Sequence, residues 1–474
     1  MSFSDDYTFD DRDMNFGAGD LRKRISRCFE FIVDEQIFPN LEYFEETIQL
    51  CLDYDLNEDG LLLADAVLEH VPYNADMWQY RGIFLNSLLN FEEAYLSFSK
   101  AVSYNPNDVE TLLNKAVSEE NLDLIDEAVE TLRRALSLEP ENEEVFYSLG
   151  LLAEKNDRYD QAVEYFWQAV KLEKDFAEAW YELAISYDFL EKFNESLEAY
   201  DAYLAIQPYS YNGWYNRGII LIELNKFEEA ANSYELAVAI KSDFPSAWFN
   251  LGISYLKLKR YEQALDAFLN ASKLDEIDEA VWYYVGQVYE RLSDYTSAVA
   301  AYTKAIAIEG NYYEAYLSRG FCNEKLRRKE AALSDFNKAV SVVRESNEAW
   351  KAKAELEYDL GNIKNSISSY KKVLDLSPDN IEVWLKLGYA YAETGDIVSS
   401  IAAWTKCVQI KPDFAEAYYQ RAKLFLFSNK ADLAVSDFKT AFYLDPSTKE
   451  KFAREYSEAI KELKFLDKTF DDKK

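Results

Sequence analysis

The chain has 474 residues, 49% of them apolar types, and its 51 lysines and arginines against 86 aspartates and glutamates give a net charge of −35. That apolar content supports a large packed core and excludes wholesale disorder, while the charge argues against binding nucleic acid or docking on anionic membranes. A single histidine, His70, excludes multi-histidine metal sites and most histidine-dependent catalysis.

Residues 1–20 alternate acids with aromatics, show no helical period and read as an acidic disordered tail. They also lack the basic and apolar segments of a secretory signal. Within residues 21–40, positions 21–37 read as one helix leading into the rest of the chain. No run of about 18 apolar residues occurs, so no membrane span is expected. The four cysteines, Cys28, Cys51, Cys322 and Cys407, are far apart, and the expectation is free thiols in a reducing cytoplasm.

From residue 41 the sequence is periodic. Pro72, Pro106, Pro140, Pro208, Pro378, Pro412 and Pro446 are separated by 34 residues or multiples of 34. With proline as position 32 of each period, residues 41–448 divide into twelve units without insertion or deletion. Position 4 is aromatic in eleven units, from Phe44 and Trp78 to Trp384 and Tyr418, with Leu112 the exception. Position 8 is glycine in seven, among them Gly82, Gly150, Gly286 and Gly388, and position 24 is a ring in ten, including Phe98, Phe166, Tyr200 and Trp404. Position 27 is most often alanine, as at Ala101 and Ala305.

Apolar residues at positions 4, 7 or 8 and 11 make the stripe of one amphipathic helix, and positions 20, 24 and 27 make a second. Small residues at 8, 20 and 27 allow close approach of the two backbones, and proline at 32 ends the second helix. The fold class is therefore all-α, an α-solenoid of about twelve helix pairs. Residues 449–474 read as a capping helix and tail, with Phe452, Tyr456, Ile460 and Leu463 forming its apolar stripe.

Stretches such as 177–184 (AEAWYELA), 248–255 (WFNLGISY) and 261–268 (YEQALDAF) closely resemble the tetratricopeptide repeat (TPR) family. The resemblance implies a right-handed superhelix whose first helices line a concave groove, with positions 2, 5, 6, 9, 12 and 13 facing it. On that register position 5 supplies Tyr147, Tyr181, Tyr215, Phe249 and Tyr283, and position 6 supplies Asn114, Asn216 and Asn250. Position 13 adds Lys155, Lys257, Arg291 and Lys325. Rings, amides and scattered cations suit an extended or helical peptide. The family's clamp for chaperone tails needs lysine at 5 with asparagine at 9, whereas Lys351 is followed by Glu355, so that clamp is not expected.

No Walker loop, GxGxxG, HExxH or GxSxG motif is present, and neither end segment is large enough for a catalytic domain. The string Asp55-Leu56-Asn57-Glu58-Asp59-Gly60 matches half of a calcium loop, but Ala66 stands where the bidentate glutamate belongs, so it reads as an acidic turn. Arginines at position 7 (Arg81, Arg217, Arg319, Arg421) face the second helix, which predicts ion pairs Arg319–Asp335 and Arg421–Asp437. The expectation is a non-enzymatic cytoplasmic scaffold, without cofactor or metal, that binds a protein or peptide, with basic partners favoured by charge. The alternatives are a substrate-recruiting or regulatory subunit of a separate enzyme, and self-association, including groove occupation by the tail 1–20.

Overall fold

Each 34-residue period carries its own helix stop signals, and the helices follow them. The structure, a computed structural model, describes residues 14–456. All regular structure among them is helical. The chain divides into two compact units, Met1–Ser242 and Asp243–Lys474.

The first unit opens with α1 (Met14–Val33). Its first helices are α2 (Leu41–Asp53), α4 (Ala75–Ser87), α6 (Val109–Asn121), α8 (Glu143–Lys155), α10 (Ala177–Phe189) and α12 (Tyr211–Glu223). They alternate with second helices α3 (Asn57–His70), α5 (Phe91–Tyr104), α7 (Ile125–Leu138), α9 (Tyr159–Leu172), α11 (Phe193–Ile206) and α13 (Phe227–Ile240). In the second unit the first helices are α14 (Pro245–Lys257), α16 (Glu279–Arg291), α18 (Tyr313–Lys325), α20 (Asn347–Asp359), α22 (Ile381–Glu393) and α24 (Ala415–Phe427). Their partners are α15 (Tyr261–Leu274), α17 (Tyr295–Ile308), α19 (Lys329–Val342), α21 (Ile363–Leu376), α23 (Ile397–Ile410) and α25 (Ala431–Leu444), and α26 (Ser447–Glu455) follows. Successive first helices start 34 residues apart, and every second helix ends two residues before the register position of the proline.

The edges of the array refine the expectations made for them. The leading helix spans 14–33 rather than 21–37, so residues 14–20 are helical and not part of a disordered tail; the rest of that tail lies outside the described residues. Apolar periodicity locates only the packed part of a helix, and here the backbone continues N-terminal to it. Its end is set by Glu35, at φ 55°, with Gln36 N–H closing on the Phe31 carbonyl at 2.8 Å. The calcium-like string is split by structure: Asp55 is the turn residue at φ 55°, and Asn57 already begins α3. At the other end α26 buries Phe452 against Phe438 and Phe442 (ring centroids 4.7 and 5.8 Å), whereas Ile460 and Leu463 lie outside the described residues.

The glycine at position 8 is explained by the ring at position 24. A Cβ built on Gly286 meets Tyr302 at 2.5 Å, and one on Gly218 meets Tyr234 at 2.6 Å. The ring lies against the bare backbone, and burying it contributes roughly 1.5–3 kcal/mol per repeat. Position 4 behaves differently from position 24. Its indoles are half-buried, and Trp78, Trp214 and Trp384 donate to the carbonyls of Pro72, Pro208 and Pro378 at 2.7–2.9 Å, which pins the loop leaving the preceding helix.

Position 15, between the paired helices, is left-handed in every period, from Asp55 and Leu89 (φ 61°) to Asn429, and only Gly361 and Gly395 are glycines. Position 34 often caps the next first helix. Asn74, Asp108, Asn142, Ser210, Asp278, Ser346 and Asn380 each accept a backbone N–H through the side chain.

The arginines at position 7 make the two expected ion pairs and a further contact. Arg319 Nη2 lies 2.6 Å from Asp335 Oδ1, and Arg421 grips Asp437 at 2.7 and 2.9 Å. Each also donates to a threonine of the preceding repeat, Thr303 at 3.0 Å and Thr405 at 3.1 Å. In Arg81 and Arg217 the partners are exchanged. An acid is in the preceding repeat (Asp65 at 2.7 Å, Asp201 at 2.6 Å) and a hydroxyl in the same one (Ser97 at 2.6 Å, Ser233 at 2.8 Å), and Arg81 also pairs with Glu93 of its own repeat at 3.1 Å. Each guanidinium takes a carboxylate and a hydroxyl from different repeats, so it links repeats as well as helices.

Candidate functional site

First helices of consecutive repeats lie side by side and are joined by side-chain hydrogen bonds. In the first unit Tyr80 Oη donates to Gln49 (2.6 Å), Ser118 Oγ to Asn86 (3.0 Å), Ser186 Oγ to Glu154 (2.5 Å), and Asn216 Nδ2 to Tyr181 Oη (2.8 Å). In the second unit Lys351 pairs with Glu382 at 2.7 Å, and Tyr389 Oη donates to Glu416 at 2.9 Å. Polar bonds thus tie neighbouring first helices from α2 to α12 in the first unit and from α20 to α24 in the second.

Position 5 lies on the first-helix face, with its rings braced from behind. In the first unit Tyr147 packs on Phe166 and Phe176 (5.8 and 5.0 Å), Tyr181 on Tyr200 and Tyr203 (5.9 and 5.0 Å), and Tyr215 on Tyr234 (5.8 Å). In the second, Phe249 packs on Phe268 and Tyr284, and Tyr283 on Tyr302 and Tyr312. All five are half-buried, so each joins its repeat's core through one side and reaches the surface with the other. Burial is the main cause that pushes the Tyr181 phenol up to about 12, with Glu182 adding to it, and it raises Tyr147 and Tyr283 as well.

The amides and cations are less uniform. Asn114 and Asn250 are half-buried, and Asn216 is already engaged with Tyr181. Lys155 pairs with Glu120 at 3.2 Å, while Lys257, Arg291 and Lys325 are exposed. Lys351, the lone lysine at position 5, is held by Glu382.

Sequence reasoning missed the acids among these rings. Glu154, at position 12 of α8, and Glu182, at position 6 of α10, are half-buried, and Glu154 accepts from Ser186 of α10. Burial and then Glu154 raise the Glu182 carboxyl to about 7, and burial raises Glu154 despite its bond from Ser186. Their register positions carried the signal, but two acids do not stand out in a chain with 86. Among the described residues no group of three or more His, Cys, Asp or Glu is placed to hold a metal ion, and no helix is long and apolar enough to cross a membrane.

Family models described as tetratricopeptide repeat match residues 109–142, 147–211, 245–277, 285–349, 381–414 and 415–448, and one described as TPR repeat matches 218–259 and 354–395. No curated protein matches the chain. Among solved structures it is similar to YrrB, a TPR protein with an unusual peptide-binding site, at 20% identity over 40% of this chain and 98% of that one, with a TM-score of 0.37. It is similar also to the C-terminal part of a TPR repeat-containing protein from Cytophaga hutchinsonii, at 18% identity over 58% and 98% of the two chains, with a TM-score of 0.41. The Cut9–Hcn1 hetero-tetramer of APC/C matches at 15% identity over 85% and 94%, with a TM-score of 0.32. With repeat matches running from residue 109 to 448 across short gaps, and stacked helix pairs in the same period, the chain belongs to the tetratricopeptide repeat family.

Proposed function

We propose that this protein is a non-enzymatic cytoplasmic scaffold that holds a peptide or protein segment along the face of its first helices. The observation that carries this reading is the run of half-buried rings and amides on side-by-side helices, Tyr147, Tyr181, Tyr215 and Asn216 in the first unit. A ring braced from behind is fixed before the partner arrives, so little side-chain freedom is lost on binding, and aromatic anchors of this kind dominate interface energetics. The net charge of −35 favours basic partners through steering that weakens as salt rises. Four buried free cysteines support a reducing compartment.

The test is affinity purification at low and moderate salt with the wild type and a Tyr215→Ala/Asn216→Ala variant whose helical content is checked by circular dichroism. Loss of the principal partner from a folded variant supports the reading. Full retention moves the binding surface elsewhere on the protein.

A further inference from the structure

The charge of this protein is unevenly placed. Residues 1–242, the first unit, hold 18 lysines and arginines against 50 acids, a net −32, whereas residues 243–474 hold 33 against 36, a net −3. The contrast is sharpest at the turn inside each period, taken as positions 12–18. The six turns of the first unit carry four cations and 14 acids. The next three, at residues 256–262, 290–296 and 324–330, carry eight cations and five acids.

Neighbouring turns lie against each other, so these three form one edge of the second unit. Position 17 of one period meets position 13 of the next: Lys329 Nζ lies 3.9 Å from Asp359 Oδ2, and in the first unit the Tyr159 ring stacks on Phe189 at 4.4 Å. Lys257, Lys259, Arg291, Lys325, Arg327 and Arg328 are exposed on this edge, and among the described residues none of the six forms an ion pair. Two of its five acids are already engaged. Glu290 accepts the Tyr302 hydroxyl, and Asp294 accepts the Ser297 N–H at 3.1 Å and its hydroxyl at 2.6 Å. Only Glu262, Glu324 and Glu330 remain to offset the cations, and all three are exposed. The result is a basic edge on a chain whose net charge is −35.

Such an edge selects by size as well as by sign. At physiological salt exposed charges act over about 8 Å, so a short anionic segment lying on the edge meets its cations, whereas a long polyanion also meets the acids of the rest of the chain. Packed helices are about 10 Å apart, so three turns span roughly 20 Å, the reach of about six extended residues.

We propose that the turns at 256–262, 290–296 and 324–330 form a second docking surface, which takes a short acidic segment of a partner protein. This surface is separate from the first-helix face and opposite to it in charge preference, so one chain can hold a basic and an acidic partner together.

The probe is a fluorescein-labelled decapeptide of alternating glutamate and alanine, titrated into the full chain and followed by anisotropy beside the same peptide with glutamine in place of glutamate. The glutamate peptide binds at least about tenfold more tightly, and the difference shrinks as salt rises. Lys325→Gln/Arg327→Gln/Arg328→Gln and, separately, Lys257→Gln/Lys259→Gln each weaken it at least about fivefold, with helical content unchanged by circular dichroism. Lys338→Gln/Lys406→Gln/Lys439→Gln, on exposed positions of α19, α23 and α25 away from the turns, alters it less than about twofold. The proposal is overturned if the wild type does not distinguish the two peptides, if either edge variant binds like the wild type, or if the control variant loses as much as they do. Weakening by Tyr215→Ala/Asn216→Ala overturns it too, by moving the peptide to the first-helix face. So does a single-stranded DNA of about 20 nucleotides that binds more tightly than the glutamate peptide, which assigns the edge to nucleic acid.

Discussion

Arg319 and Asp335 offer a sharp test of how the repeats are tied together. The Asp335 carboxylate is 4% exposed and accepts Arg319 Nη2 at 2.6 Å, Arg319 Nε at 3.1 and 3.2 Å, and Asn323 Nδ2 at 3.0 Å. Arg319→Met keeps the apolar stem but leaves the buried carboxylate with Asn323 alone. An unpaired charge in such a place costs about 3–5 kcal/mol. Adding Asp335→Leu removes the orphaned charge, and the double variant is expected within about 1–2 kcal/mol of the wild type. The matching substitution Arg81→Met costs less, because its acid partners Asp65 and Glu93 are about half exposed and remain solvated. The assay is urea unfolding combined with hydrogen exchange of residues 313–342, since a solenoid opens locally and a single global transition is not assured. A loss below about 1 kcal/mol for Arg319→Met, or a double variant as unstable as the single one, refutes the reasoning.

Further expectations rest on separate features. Gly286→Ala improves helix propensity by about 1 kcal/mol yet destabilises by about 1–3 kcal/mol net, because its Cβ meets Tyr302 at 2.5 Å; a raised unfolding midpoint contradicts this. Leu89→Gly at φ 61° stabilises by roughly 1 kcal/mol, whereas Gly361→Ala at φ 76° loses about as much, both read from thermal midpoints. Glu182 is raised from 4.5 to about 7 by burial, so the folded chain holds a proton there that the unfolded chain releases between those values. Its stabilising contribution is complete below about pH 4.5 and lost as pH rises through about 7, on the order of 3 kcal/mol. Glu182→Gln accordingly stabilises the protein at pH 8 but not at pH 4, and denaturant melts at both values check it.

The sequence alone determined the helix pairing within one period. Glycine at 8, a ring at 24 and proline at 32 are contacts inside a helix pair or at its boundary, so spacing was enough to place both helices of each repeat. The pairs Arg319–Asp335 and Arg421–Asp437 were legible for the same reason, because a sixteen-residue offset within a helix pair is fixed by the pair's geometry. The ends read less well, since the backbone of α1 runs N-terminal to its apolar stripe.

Only the tertiary structure decided what happens between periods. That Arg81 and Arg217 reach back to Asp65 and Asp201, that Ser186 bonds Glu154, and that Asn216 bonds Tyr181 all depend on how one repeat leans on the next. The tyrosines at position 5 were visible as a ladder, but not that each is half committed to the ring behind it. Nor did spacing reveal that burial raises the Glu154 and Glu182 carboxyls, while Glu416 pairs with Lys451. Charge patterns record composition along the chain. Burial and compensation arise when neighbouring first helices are laid side by side.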